Sequence, residues 1–342
     1  MRRHRKQHNN MQNILDPAIL FFAFGILAGS FRSNLEIPPA ISRFLSLYLL
    51  MALGLKGGFA LSASGLTTEI AISLGCAILL AVMIPIGGYQ LLKRFLSPYD
   101  AAAVAATYGS VSAVTFITAV QYLENQNLPY GGHMAAAMAL MESPAIVIAV
   151  VLANSLRRTA TAGPTLSGGA AALGGAPAPA GIGKILHESF TDGAQLLLLG
   201  AMAVGLITGE AGKEAMAPFS VDLFKGMLAF FLLDMGLLTA RNLGQLRGQS
   251  PWLIAYAVLA PIAHAALALG LSAAFGIAAG NATLLMVLAA SASYIAVPAV
   301  LRYAIPEARP SVYFSMSLGI TFPLNILAGI PVYAYVAHRA LA

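Results

Sequence analysis

Apolar runs long enough to cross a bilayer alternate with short polar, proline-bearing or glycine-bearing connections along almost the whole chain. The first half holds five such runs: Pro17–Phe31, Ile41–Leu61, Glu69–Leu92, Asp100–Tyr122 and Gly132–Leu156. Between them lie Arg32–Pro39, Ser62–Thr68, Lys93–Tyr99 and Leu123–Gly131. In Ser97-Pro98-Tyr99-Asp100 the turn residues predict a helix start, with Asp100 as its cap. Residues 157–186 break the pattern. They are Gly, Ala, Pro, Ser and Thr with little bulky apolar content, which predicts a flexible linker rather than a folded domain. Five more runs follow: His187–Gly209, Val221–Ala240, Trp252–Ile277, Ala282–Tyr303 and Ser311–His338. The pattern predicts an all-α polytopic membrane protein of ten transmembrane helices. Residues 1–156 form one set of five with a basic tail at 1–10, and residues 187–342 form the other.

Composition sharpens the class. Hydrophobic residues are 58% of the chain and charged residues 9%, so most of it cannot face water. The net charge of +6 sits largely in connections and in the tail. It reads as orientation information and not as nucleic-acid binding, because membrane proteins concentrate Lys and Arg on the cytoplasmic side. With the N-terminus outside, the inner connections carry Arg32, Arg43, Lys93, Arg94, Arg157, Arg158, Lys184, Arg241, Arg247, Arg302 and Arg309. The outer inter-helix connections carry only Lys213. The expectation is a multi-pass inner (plasma) membrane protein with both termini outside and linker 157–186 in the cytoplasm. The tail (Arg2, Arg3, Arg5 and Lys6, with His4 and His8) runs against this bias. Tail and first run together resemble a signal peptide, but no small-x-small cleavage site follows, so the run reads as a retained first helix. Met11 is a second candidate initiator. The lone cysteine, Cys76, excludes an intramolecular disulfide and reads as a small core residue.

The two halves match at an offset of roughly 180 residues. Gly25-Ile-Leu-Ala-Gly29 answers Gly205-Leu-Ile-Thr-Gly209, Gly54 answers Gly236, Ser110 and Ser112 answer Ser291 and Ser293, and Pro144 answers Pro323. An odd number of spans per half makes the second half enter the membrane from the opposite side. That is a five-plus-five inverted repeat, the geometry of many secondary transporters. The glycines Gly54, Gly57, Gly58 and Gly236 mark places where helices slide past one another.

Chemistry concentrates in the matched Ser-x-Ser stretches, Tyr108–Thr115 and Ala289–Pro298. Hydroxyls and free amides at a helix break replace the water that an anion loses on entering the membrane, and a helix N-terminus adds a favourable dipole. Pro298, Pro144 and Pro323 are expected to free helical carbonyls suited to sodium. Ionisable residues inside spans are costly in hydrocarbon and are candidates by default. They are Lys56, Glu142 and Asp234, with a Lys56–Asp234 ion pair expected. Lys225, near a helix end, reads as a snorkelling lysine. His264 reads first as a buried, hydrogen-bonded histidine.

Gly109-Ser-Val-Ser-Ala-Val-Thr115, Met141-Glu-Ser-Pro-Ala145, Leu53-Gly-Leu-Lys-Gly-Gly58, Ala290-Ser-Ala-Ser-Tyr-Ile-Ala-Val-Pro298 and Leu301-Arg-Tyr-Ala-Ile-Pro306 carry a resemblance. From about Asp16 to Arg339 the chain resembles the sodium-dependent bicarbonate permeases first known from cyanobacteria. The resemblance implies a core and a gate domain, a homotrimer, and sodium-coupled import of bicarbonate by an elevator-like motion. It implies a substrate region at Ser110, Ser112, Thr115, Ser291 and Ser293, with Tyr294 beside them. It also implies a small PII-like cytoplasmic regulator as partner. Three motifs depart from that family. Its Ser-Ser-Ser-Asp-Ile-Ser-Gly-Pro-Pro is here Ser-Ala-Ser-Tyr-Ile-Ala-Val-Pro-Ala, so an acid becomes Tyr294 and Ser-Gly becomes Ala296-Val297. An Asp before Ile-Pro is here Glu142-Ser143, and Thr-Gly-Gly is Lys56-Gly-Gly.

The function expected is therefore sodium-coupled bicarbonate import by alternating access, with no catalytic residues, no cofactor beyond the coupling ion, and no metal centre beyond sodium. Two alternatives stand beside it. One is transport of another small anion such as a monocarboxylate, proton-coupled through Glu142 or Asp234. The other, remote, is an intramembrane serine hydrolase using Ser110 or Ser112 with His264 as base.

Overall fold

Prolines and small polar residues at the edges of the apolar runs set where the helices begin. The computed structural model describes residues 16–31, 33–65, 67–161, 193–246 and 248–341. The basic tail and most of the predicted linker lie outside the described residues. α1 (Pro17–Ser30) starts at a proline whose missing N–H costs nothing in a first turn, and Asp16 caps it by accepting from the Ala18 amide at 2.8 Å. α2 (Pro39–Ser64) also starts at a proline, and α3 (Thr68–Leu92) is capped by Thr67. α4 (Pro98–Gly109) is capped by Ser97 and not by Asp100. Asp100 sits in the first turn, where it accepts from the Ser97 hydroxyl at 2.9 Å. The serine precedes the N1 proline, which is the cap position, and its hydroxyl accepts from the Asp100 amide at 3.1 Å.

The fourth and ninth predicted spans are each broken in two. After α4 the chain is extended at Ser110 and Ser112, then resumes as α5 (Ala113–Asn125). α6 (Met134–Thr161) runs on past Leu156 into the predicted linker, with Pro144 inside it. α7 (Gly193–Ala217), α8 (Phe224–Leu243) and α9 (Pro251–Phe275) follow, and a π-helical turn at Pro218–Asp222 joins the first two. The ninth span is α10 (Ala279–Ala290), a break at residues 291–295, and α11 (Ala296–Ala304). α12 (Pro310–Ala340) closes the chain and carries π-turns at Ser317–Thr321 and Asn325–Gly329. Among the described residues all regular structure is helical, and seven helices are long and apolar enough to cross a membrane.

The heaviest packing pairs α2 with α7 and α1 with α8. Both pairs meet at glycines. A Cβ on Gly58 would stand 2.9 Å from the Gly205 Cα, and one on Gly236 would stand 2.9 Å from the Gly25 Cα. The backbones touch where no side chain intervenes, the arrangement by which membrane helices gain packing that lipid cannot supply. The remaining long helices pack mainly on one another: α3 with α4 and α6, and α9 with α10. Gly109, just before the first break, fits against the ring of Pro85 in α3, where a Cβ would lie 2.6 Å from two ring carbons. Cys76 is buried and free.

Candidate functional site

The two helix breaks cross in the middle of the protein and bond to each other. The Ser293 amide donates to the Thr107 carbonyl at 2.8 Å, and the Ser112 amide donates to the Ser291 hydroxyl at 3.0 Å. Ser291 in turn donates to the Leu288 carbonyl at 2.8 Å. Ser112 caps α5 by accepting from the Thr115 amide at 3.2 Å and from the Thr115 hydroxyl at 2.9 Å. Ser293, two residues before the Ile295 cap position of α11, accepts from the Val297 amide at 3.3 Å. Ser110 donates to the Glu142 carbonyl at 3.3 Å, close to the Pro144 bend in α6. All six of the hydroxyl candidates read from the sequence are thus gathered at one crossing, and every one is buried.

A cavity of about 230 Å³ opens on this crossing. Ser112, Ser293 and Tyr294 line it, together with Ala113, Val114 and Ala296 at the starts of α5 and α11. Ser110, Thr115 and Ser291 stand behind it. A helix's first amides have no acceptor within the helix. Ser112 takes that of Thr115, which leaves those of Ala113 and Val114 without an intrahelical acceptor at the cavity wall. Two helix N-termini therefore present partial positive charge to one small space, which suits an anion. Leu50, Met138, Ile146, Leu198 and Val300 make the rest of the wall largely apolar.

Pro298 does not free the Tyr294 carbonyl from a continuous helix. It is the third residue of α11, where its missing N–H is one of those without an intrahelical acceptor in any case. Pro144 does lie inside a helix, and there the carbonyl four residues back, of Leu140, loses its amide partner.

The ionisable candidates separate. Glu142 lines the serine cavity and accepts from the Gln195 side chain at 2.8 Å. Lys56 and Asp234 do not pair. Lys56 reaches both carboxylate oxygens of Glu124, at 3.1 Å each, and its ammonium lies 4.1 Å from the centre of the Phe224 ring. The Tyr130 hydroxyl donates to Glu124 at 2.9 Å; burial, and then the adjacent carboxylate, push that phenol up, so it stays protonated. This pair lines a separate cavity of about 290 Å³ between α2 and α5. Asp234 accepts from Ser42 and lines a vestibule of about 770 Å³. The vestibule shares Ser46, Tyr294 and Ile295 with the serine cavity. Tyr294 divides the two spaces: its hydroxyl sits 3.7 Å from the Met235 sulfur, and its ring packs on Phe322 at 5.0 Å.

His264 belongs to neither space. It lines an apolar groove of about 570 Å³ between α3 and α9 that shares no residue with the serine cavity. Its Nδ1 is buried with no hydrogen-bond partner among the described residues, while a backbone hydrogen bond to Ala289 ties the side chain, in keeping with the expected bonded histidine. Lys225 is half exposed and lies 3.5 Å from Asp16, in keeping with a lysine at a helix end.

Sequence reasoning missed Ser42, Ser46, Glu124 and Gln195. Gln195 carried a signal, being an amide inside the run Ala194-Gln-Leu-Leu-Leu-Leu199. The serines carried little, since single hydroxyls are common in membrane helices.

A search of curated proteins found no match to the chain. The sequence profile of the Na+-dependent bicarbonate transporter superfamily matches residues 17–338, nearly the full length and both helix breaks. A polytopic helical chain with two crossed helix breaks facing a small anion-suited cavity, matched over that span, belongs to the Na+-dependent bicarbonate transporter superfamily.

Proposed function

We propose that this chain is a secondary active transporter that imports bicarbonate together with sodium by alternating access. The observation that carries the reading is the cavity between the two breaks, where two helix N-termini and the hydroxyls of Ser112 and Ser293 converge. A bicarbonate there exchanges its hydration for hydroxyls and amides and meets no fixed ammonium or guanidinium that would hold it too tightly to leave. In this reading the chain is a ten-pass, five-plus-five inverted repeat in the inner membrane, with both termini outside. Support comes from the offset of roughly 180 residues and from the two glycine crossings, α1 on α8 and α2 on α7, which exchange under that offset. The helices α1, α2, α7 and α8 form the stationary set, and the crossing moves past them. A homotrimer and a PII-like regulator belong to the same proposal, drawn from the family resemblance.

The test is uptake of labelled bicarbonate into proteoliposomes with and without an inward sodium gradient, for wild type and for Ser112→Ala with Ser293→Ala. Sodium-stimulated uptake lost in the double variant is the expected result. A correctly inserted wild type with no bicarbonate uptake refutes the reading.

A second reading, transport of a small monocarboxylate, draws support from the apolar part of the cavity wall. The cavity has room for several waters beside a one-carbon anion. Competition of labelled bicarbonate uptake by acetate, lactate and pyruvate separates the two.

A further inference from the structure

α5 is thirteen residues long, about 20 Å, and its two ends face different surroundings. Its first residues, Ala113 and Val114, stand at the wall of the serine cavity. Its last turn carries Glu124 and Asn125, which reach the helices of the stationary set. Lys56 of α2 bonds both Glu124 carboxylate oxygens at 3.1 Å, and the Phe224 ring at the start of α8 lies 4.1 Å from the same ammonium. The Asn125 amide donates to Asp16, the cap of α1, at 2.7 Å, and its oxygen accepts from Lys225 of α8 at 3.3 Å. Lys225 also lies 3.5 Å from Asp16. One helical turn is thus tied to α1, α2 and α8 together.

The opposite face is built differently. α8 has twenty residues, about 30 Å, with Lys225 in its first turn and Arg241 in its last, so the two mark opposite faces of the protein. At the Arg241 face the vestibule of about 770 Å³ borders the serine cavity through Ser46, Tyr294 and Ile295. Polar contacts there stay mostly within one set of helices. Arg241 donates to the Leu35 carbonyl at 3.3 Å, Ser42 donates to Asp234, and Arg302 lies 5.6 Å from the centre of the Phe314 ring. The Thr239 hydroxyl crosses to the Leu318 carbonyl, at a long 3.5 Å, and among the described residues no ion pair crosses there. At the Glu124 face two pockets of about 310 and 290 Å³ lie on opposite sides of α5. Gln121 and Asn125 line one, Val120 and Glu124 the other, and neither pocket shares a residue with the serine cavity. The serine cavity therefore meets a vestibule toward one face and packed helix toward the other.

We propose that the last turn of α5 is the gate on the Glu124 face, held shut by a latch made of the Lys56–Glu124 pair and the ties of Asn125 to Asp16 and Lys225. The proposal rests on the transport reading, in which α5 moves against α1, α2 and α8, and adds to it the contacts that break in each cycle. The pair suits that use. Its side chains are 15% and 31% exposed, so both charges regain water on opening without the cost of separating a fully buried pair. The Tyr130 hydroxyl, in the connection that follows α5, donates to Glu124 at 2.9 Å and keeps the carboxylate aimed for the latch to re-form. Removing the latch shifts the population toward the arrangement open on the Glu124 face, by the factor the latch contributes.

Introduced cysteines in sealed vesicles, probed with a charged, membrane-impermeant thiol reagent, test this without any transport. Ala299→Cys, exposed in the serine cavity, should react with reagent on the Arg241 face and not with reagent on the Glu124 face. Val120→Cys, buried beside Glu124, should react slowly from the Glu124 face. Adding Lys56→Met should speed that reaction roughly tenfold, the shift for loss of one bond between charged groups. Lys56→Glu combined with Glu124→Lys should restore the slow rate. The native Cys76, 4% exposed in α3, is the reference, because an opening gate leaves it unreactive whereas general loosening exposes both. Val120→Cys equally slow with and without Lys56→Met, or Cys76 gaining in the same proportion, overturns the gate. So does reaction of Ala299→Cys from the Glu124 face. If Lys56→Met does not insert, Asn125→Ala, which removes the ties to Asp16 and Lys225, decides by the same ratio. A protein that passes these tests and takes up no bicarbonate keeps the gate and loses the transport reading. One that takes up bicarbonate and fails them keeps the transport reading and loses the gate.

Discussion

Gly205→Ala and Gly200→Ala make the same chemical change five residues apart on α7, yet should move stability in opposite directions. A Cβ on Gly205 would stand 2.6 Å from the Leu55 carbonyl oxygen and 3.1 Å from the Gly58 Cα of α2. Ordinary carbon contacts begin at about 3.5 Å, so the helices must separate by up to about 1 Å. The obstructing atoms are backbone, and no side chain can swing aside. Overpacking of this kind costs about 3 kcal/mol, the upper end of its usual range. Replacing a helical glycine by alanine returns about 1 kcal/mol of backbone entropy, which leaves a net loss of about 2 kcal/mol. Gly200 has nothing within 4 Å of its Cβ position, so only the gain applies there, up to about 1 kcal/mol. The assay is reversible denaturant unfolding in detergent micelles, with stability taken from midpoint and slope. Gly58→Ala combined with Gly205→Ala should cost less than the sum of the two, because a gap opened for one methyl admits the other. Equal effects at Gly200 and Gly205, or strict additivity of the double variant, would show that the α2–α7 contact does not set the stability of this crossing.

Two further outcomes follow from the ion pairs. Lys56 and Glu124 side chains are 15% and 31% exposed, so Lys56→Met should cost about 2 kcal/mol, below the 3–5 kcal/mol typical of a fully buried pair broken on one side. In a double-mutant cycle with Glu124→Gln the coupling should exceed about 1 kcal/mol, and a coupling near zero would mean the pair is only a surface contact. Glu307, in the turn after α11, is held below the usual carboxylate range mainly by hydrogen bonds from Arg157, whose Nε and Nη2 donate to it at 2.8 and 2.7 Å. A depressed folded value means stability that is present above the unfolded pKa, near 4.3, and is lost as pH falls through the folded one. The carboxylate is 34% exposed, so the contribution is under about 1 kcal/mol, and Glu307→Gln should remove it at neutral pH, with the difference from wild type shrinking as pH falls below the unfolded pKa.

The helices were legible where a proline or a small polar residue edges an apolar run, which leaves little choice of helix start. The helix breaks were legible as polar chemistry but not as geometry. Ser-x-Ser in an apolar run signals hydroxyls, whereas the extended backbone at Ser110 and Ser112 depends on contacts from the other half. Pro298 misled because a proline in a first turn and a proline in a kink look alike in sequence. The partner of Lys56 was hidden for another reason. Glu124 is 68 positions away, near the end of α5, in a stretch that reads as a connection. Asp234 looked like the natural counter-charge because both residues sit beside matched glycines, but register along a repeat does not fix which faces meet.

The two bonds that lock the breaks together differ in kind. Ser293 ties to Thr107 through main-chain atoms only, so any residue except proline at position 293 keeps that tie. Ser112 ties to Ser291 through the Ser291 side chain, so position 291 must carry a hydroxyl or leave a buried amide unpaired. The Ser293 hydroxyl serves the start of α11, where it accepts from the Val297 amide, whereas the Ser291 hydroxyl holds the two breaks to each other. Loss of the hydroxyl at 293 therefore loosens one helix start, and loss of it at 291 loosens the crossing itself.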